Sequence, residues 1–209
     1  MPGHRSFISD DFQVLLLDQF KSQVGDAGMD LIGAPDAGGD VAKQVADIQN
    51  LLANGAEAIV IVPVDAAGVV PAIKQANEKD VPVFSLDDAP AGGKVAATVR
   101  ADNVGAGEQA AEEMVRRLKE DNCWPSDCTV LELQGSLDTP NGLDRSKGFA
   151  DTITKLAPEV ALVQRPTEWT AKMAADAAQN VLTQTPDLDG IFMASELMAS
   201  AVNAQLEGA

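Results

Sequence analysis

AKQVADIQNLLANGAEAIVI, residues 42–61, returns in altered form at 171–193 as AKMAADAAQNVLTQTPDLDGIFM. Each copy runs Ala-Lys, Ala-Asp, Gln-Asn and Leu, then a turn, then an apolar segment of strand length. In the first copy Val41, Val45, Ile48, Leu51 and Leu52 fall on one helical face, and Gly55 supplies a stop signal. The run AIVIV that follows is continuously apolar, the pattern of a strand buried on both faces of a parallel sheet. Self-similarity at this separation predicts two copies of one α/β unit and hence two similar domains.

The same grammar extends in both directions. Helical periodicity is read at 11–26, 40–54, 67–79, 103–120, 141–156, 170–184 and 196–207, and strands at 29–34, 58–62, 81–86, 95–100, 128–134, 160–164 and 189–193. Alternation of this kind predicts an α/β fold, two Rossmann-like domains with parallel sheets covered on both faces. The division falls near VRADNVGAG, with residues 1–101 in the first domain and 102–209 in the second.

Composition narrows the function. With 32 acidic against 15 basic residues the net charge is -17, a field that repels nucleic acid and anionic lipid. No apolar run approaches the roughly 20 residues of a membrane-spanning helix, so direct membrane insertion is not expected. The N-terminus, MPGHRSFISDDF, has neither the positive run nor the apolar core of a secretory signal. Cys123 and Cys128 flank a Pro-containing loop at a spacing that suits a small disulfide ring, with two free thiols as the alternative. Enzyme signatures are thin: the single histidine is His4, and no metal-binding cluster is present in the pattern, so neither a cofactor nor a metal is predicted. GAGEQA at 105–110 matches a dinucleotide-binding fingerprint, but the acidic residue that should follow it, Asp127, sits in the cysteine loop.

In open α/β sheets ligands sit beyond the carboxyl ends of the strands. Those ends carry Asp65; Asp87 and Asp88; GSLDTPNGLDR; RPTEWT; and ASE. Carboxylates that accept from hydroxyls, an arginine fork that donates, and an aromatic face suit a neutral polyhydroxylated ligand. Taken singly, each has a plainer use: Asp10 as a helix cap, Asp87 as a turn residue, Arg145 on a solvated face, Trp169 in the core.

The order of DDFQVLLLDQFKSQVGDAGMDL, VPVFSLDD, VRADNVGAGEQAAEEM, VLELQGSLDTPNGLDRSKGF and TEWTAKMAADAAQNVL resembles the ribose and galactose binders among the periplasmic binding proteins, whose fold is shared by lactose-repressor-like regulators. The resemblance implies that Asp10, Phe12, Asp87, Arg145 and Trp169 surround a sugar or polyol, with its ring between Phe12 and Trp169. It implies a non-enzymatic, periplasmic or otherwise extracytoplasmic solute-binding protein that closes about a hinge near Ala101–Asn103 and delivers ligand to an ABC transporter permease. The alternative is the sensing domain of a regulator. Three positions depart from the pattern: Val62 where those binders carry Asn, Ser195 and Glu196 where they carry Asn-Asp, and Asp88 where ribose binders carry Arg. Ser195 is a candidate contact, and Asp88 either tunes the rim or begins the turn into APAGG. The resemblance further implies a chain lacking the family's opening strand and its last strands, a fragment expected to bind weakly alone.

Overall fold

A computed structural model describes residues 11–121 and 123–207 of the chain and divides it into two units, Met1–Arg100 and Ala101–Ala209. The first contains α1 (Asp11–Asp26), α2 (Val41–Ala53), β1 (Ile59–Ile61), α3 (Val70–Glu78), β2 (Val83–Leu86) and β3 (Ala97–Val99). The second contains α4 (Asn103–Leu118), β4 (Thr129–Gln134), α5 (Pro140–Leu156), β5 (Ala161–Pro166), α6 (Ala171–Gln184), β6 (Gly190–Met193) and α7 (Glu196–Glu207). All pairings are parallel, with strand order β1-β2-β3 in one sheet and β5-β4-β6 in the other. The repeated segment forms the same pair of elements twice, α2 leading into β1 and α6 into β6.

In the first unit Asp40 caps α2 by accepting from the Lys43 amide at 3.0 Å, and Gly55, at φ 84°, turns the chain toward β1. Ile48 and Leu52 of α2 then meet Ile59, Ile61, Ile73 and Val83 in one apolar cluster. The strand predicted over 29–34 is absent: those residues carry no regular structure. No described residue pairs with the backbone of this segment in a sheet, and a strand exists only through the backbone groups it pairs with. Leu16, Leu17 and Phe20 of α1, with Ala34, Val60 and Val62, line a groove of about 150 Å³. The end of the 29–34 segment and the outer edge of β1 thus face a common gap, and no described residue pairs with that edge. In the second unit the equivalent position is filled by β4, which lies between β5 and β6.

β4 is buried along nearly its whole length. Val130 joins Phe149 and Ile153 of α5 on one face of the sheet, while Leu131 and Leu133 pack against Ala174, Val181 and Met198 on the other. Phe149 stacks on Phe192 at 4.2 Å between ring centroids. Cys123 and Cys128 are joined in a disulfide, with Cα atoms 4.8 Å apart. GAGEQA serves packing and capping here. A Cβ on Gly107 would stand 2.2 Å from the Arg145 carbonyl oxygen, and one on Gly148 would stand 2.1 Å from that of Val104, so α4 and α5 touch backbone to backbone. Gly105 donates its amide to the capping carboxylate of Asp102 at 2.9 Å.

Candidate functional site

Of the candidates in the first unit, Asp10 lies outside the described residues. Phe12 stands in the first turn of α1 with 47% of its surface exposed. Asp87 follows β2 with its backbone at φ 64°, the left-handed region that costs a non-glycine residue roughly 1–2 kcal/mol. Two backbone bonds hold it there: its own amide donates to the Val99 carbonyl at 2.8 Å, and the Asp88 amide donates to the Leu86 carbonyl at 2.8 Å. The second bond spans only two residues and folds the chain sharply at Asp87. Asp88 is buried, and its carbonyl accepts from the Ser85 hydroxyl at 2.6 Å, which braces the turn from beneath. At the end of β1 the side-chain amide of Gln44 spans the bend, donating to the Val62 carbonyl at 2.8 Å and accepting from the Val64 amide at 3.0 Å.

In the second unit the ends of β5 and β6 and the start of α4 meet around one guanidinium. Arg145 of α5 donates through Nη1 to the carbonyl of Ala194, just past β6, and through Nε (3.1 Å) and Nη2 to Oδ1 of Asn103. Its carbon Cζ lies 5.3 Å from the ring centroid of Trp169, which follows β5, within the range of a cation–π contact. The arginine is therefore held by Asn103, Ala194 and Trp169 rather than waving from a solvated face. Ser195, beside Ala194, accepts from the Met198 amide at 3.4 Å and so works at the start of α7.

Trp169 is placed by an unusual turn. Glu168 and Trp169 have φ of 52° and 60°, and the Thr170 amide closes on the Thr167 carbonyl at 2.9 Å. Positive φ at both central residues is the habit of a type I′ turn, which favours Asn and Gly; here it holds Glu and Trp. Thr167 anchors the turn, its hydroxyl donating to the Gln134 carbonyl at 2.7 Å. Gly135 makes room for the indole: a Cβ there would stand 2.3 Å from the Trp169 ring. Strain concentrated on a bulky aromatic is a mark of a residue kept for what it faces.

Of Asn103 and Asn141, whose side-chain amides join the cluster at 2.8 Å from each other, the first is named from the sequence only as the end of the expected hinge and the second is not singled out. Asn103 looked like part of a helix start, and its sequence neighbourhood holds no signal for a contact 42 positions away.

Behind the site, Glu132 of β4 is fully buried. One carboxylate oxygen accepts from Gln164 at 2.8 Å, whereas Oε1 has no partner among the described residues. Burial pushes the carboxyl above its ordinary 4.5, against hydrogen bonds from Gln164 and Ser146 that pull it down. The stability this group allows is full below pH 4.5 and is lost as pH rises through the higher folded-state value, because the folded unit must then hold a buried charge. Glu132→Gln is therefore expected to flatten that decline, adding about 1–3 kcal/mol at pH 8 and little at pH 4, as read by urea unfolding at the two pH values.

A family model described as periplasmic binding protein domain matches residues 6–209. The ribose import binding protein of Escherichia coli (strain K12) is 28% identical over 194 residues, 93% of this chain and 63% of that protein. The galactofuranose-binding protein of the same organism is 37% identical over 124 residues, 58% of this chain and 37% of that protein. An ABC transporter solute binding protein from Mycobacterium smegmatis, solved with bound glycerol, superposes with a TM-score of 0.84 at 29% identity, covering 95% of this chain and 67% of that one. The chain thus spans less than two thirds of the ribose-binding relative's length.

Proposed function

Because this chain belongs to the periplasmic binding protein domain family, we propose that it forms part of the solute-binding component of a sugar ABC importer. Its ligand is a monosaccharide or sugar alcohol, bound outside the cytoplasm and passed to a membrane permease. The observation that carries this reading is the pairing of Arg145 with Trp169 beyond the carboxyl ends of parallel strands. A fixed guanidinium donates to hydroxyl oxygens, and an indole covers the apolar face of a ring. Phe12, Asp87 and Asp10 enter the proposal as further ligand-binding residues through the family resemblance, on their chemistry as an aromatic face and two acceptors. Ser195 lies beside the carbonyl that holds Arg145. The chemistry is binding, with no reaction. The names of the relatives, which speak of ribose, galactofuranose and a solute of an ABC transporter, support this reading. They lend nothing to a regulator's sensing domain.

Asp87→Asn tests it in the full gene product. Asparagine tolerates the left-handed backbone and keeps the shape, so the fold is expected to persist while the charge that strengthens hydrogen bonds from hydroxyls is lost. Calorimetric titration with D-ribose, D-allose, L-arabinose, xylitol and myo-inositol should give at least one ligand for the parent protein and about a tenfold or greater loss of affinity in the variant. A parent protein that answers to NAD and to none of these sugars would refute the assignment.

A further inference from the structure

The guanidinium of Arg145 has many rotamers open to it, and an amide oxygen narrows them. Asn103 is the first residue of α4 and is 3% exposed. Its Oδ1 accepts from both Nε and Nη2 of Arg145. A guanidinium only donates, so Oδ1 must face it, and this turns Nδ2 toward the Asn141 side chain at 2.8 Å and the Ala101 carbonyl at 3.3 Å. The backbone holds Asn103 equally firmly: Asp102, at φ -76° and ψ 83°, forms a tight turn in which the Asn103 amide donates to the Ala101 carbonyl at 3.0 Å. One amide thus ties the start of the second unit, the first turn of α5 and the arginine together.

We infer that Asn103 is the positioning residue of the Arg145 guanidinium: it fixes the plane of the fork against Trp169 and so selects which ligand hydroxyls the fork can reach. The selection of hydroxyls rests on the proposed sugar-binding function; the positioning does not.

The two readings separate in one set of variants of the 209-residue chain, with Trp124→Phe leaving Trp169 as its only tryptophan. Arg145→Met defines the emission of an indole without its cation. Asn103→Leu is expected to shift Trp169 emission at least half as far as Arg145→Met, and the double variant no further than Arg145→Met alone. Asn103→Asp keeps an acceptor for the fork but loses both donations from Nδ2, so it should hold the parent emission while melting at a lower temperature. A merely structural Asn103 would lower the melting temperature without that pattern. Parent emission in Asn103→Leu, or an equal shift in Asn103→Asp and Asn103→Leu, overturns the inference; Asn103→Ser, whose side chain is too short to reach, replaces Asn103→Leu if the latter does not fold. Failure of the parent protein to bind any sugar would fall on the functional reading and leave the emission result intact.

Discussion

Arg145→Met in the full gene product is expected to weaken sugar binding by about 100-fold or more. A hydrogen bond from a charged group contributes about 1.5–3 kcal/mol, so two lost together correspond to a factor of roughly 10²–10⁴. Methionine keeps the bulk against Trp169, which separates loss of the fork from loss of packing. Stability should fall too, because Oδ1 of buried Asn103 loses both of its arginine donors, a cost of about 1–3 kcal/mol. Arg145→Lys should sit between the two, since an ammonium is a point donor and cannot span Asn103 Oδ1 and the Ala194 carbonyl as a planar fork does. Calorimetric titration gives the affinities and a thermal melt gives the fold. An affinity in Arg145→Met within threefold of the parent would remove the arginine from the site.

The largest effect on stability is expected from Gly107→Val. The added Cβ would meet backbone, at 2.2 Å from the Arg145 carbonyl oxygen and 2.7 Å from the Phe149 nitrogen, so no side-chain rotation relieves it. α4 and α5 must part, which opens the cluster of Ala111, Val115, Phe149 and Ile153 between them and moves Arg145 away from Asn103. A loss of about 3 kcal/mol or more follows, beyond ordinary overpacking because the clash is backbone on both sides. Gly105→Ala is the contrast: its Cβ meets only the Asp102 carboxylate, at 2.5 Å, and a shifted cap costs about 1 kcal/mol. Urea unfolding followed by tryptophan emission reads this unit alone, since Trp124 and Trp169 both lie in it. Similar midpoints for the two variants would contradict the backbone contact.

The repeat at 42–61 and 171–193 carries much of the fold because helix–turn–strand is written locally, in a cap, a periodic face and an apolar run. Segment 29–34 shows the limit of such reading: its composition suits a strand, but the pairing edge that makes one is not a local property. GAGEQA shows it again, since glycine spaced for a phosphate and glycine spaced for a crossing helix are the same letters. At the candidate site, Arg145 and Trp169 could be nominated because residue type and strand-end position suggest chemistry. Asn103 and Asn141 could not, because an amide's role is set by what faces it 38 or 42 residues away. The left-handed backbone at Asp87 and Trp169 was equally hidden, since neither side chain advertises it.

The strand order of the second sheet sets its history during synthesis. In the β5-β4-β6 sheet the strand made first ends at the centre, and its second neighbour is tied to it across 60 residues, as in the bond from the Thr129 amide to Asp189. β4, with its buried Glu132, must therefore wait with one edge bare until β6 has been translated, and for that interval the strand that ends most deeply buried among those described is the one most in need of shelter.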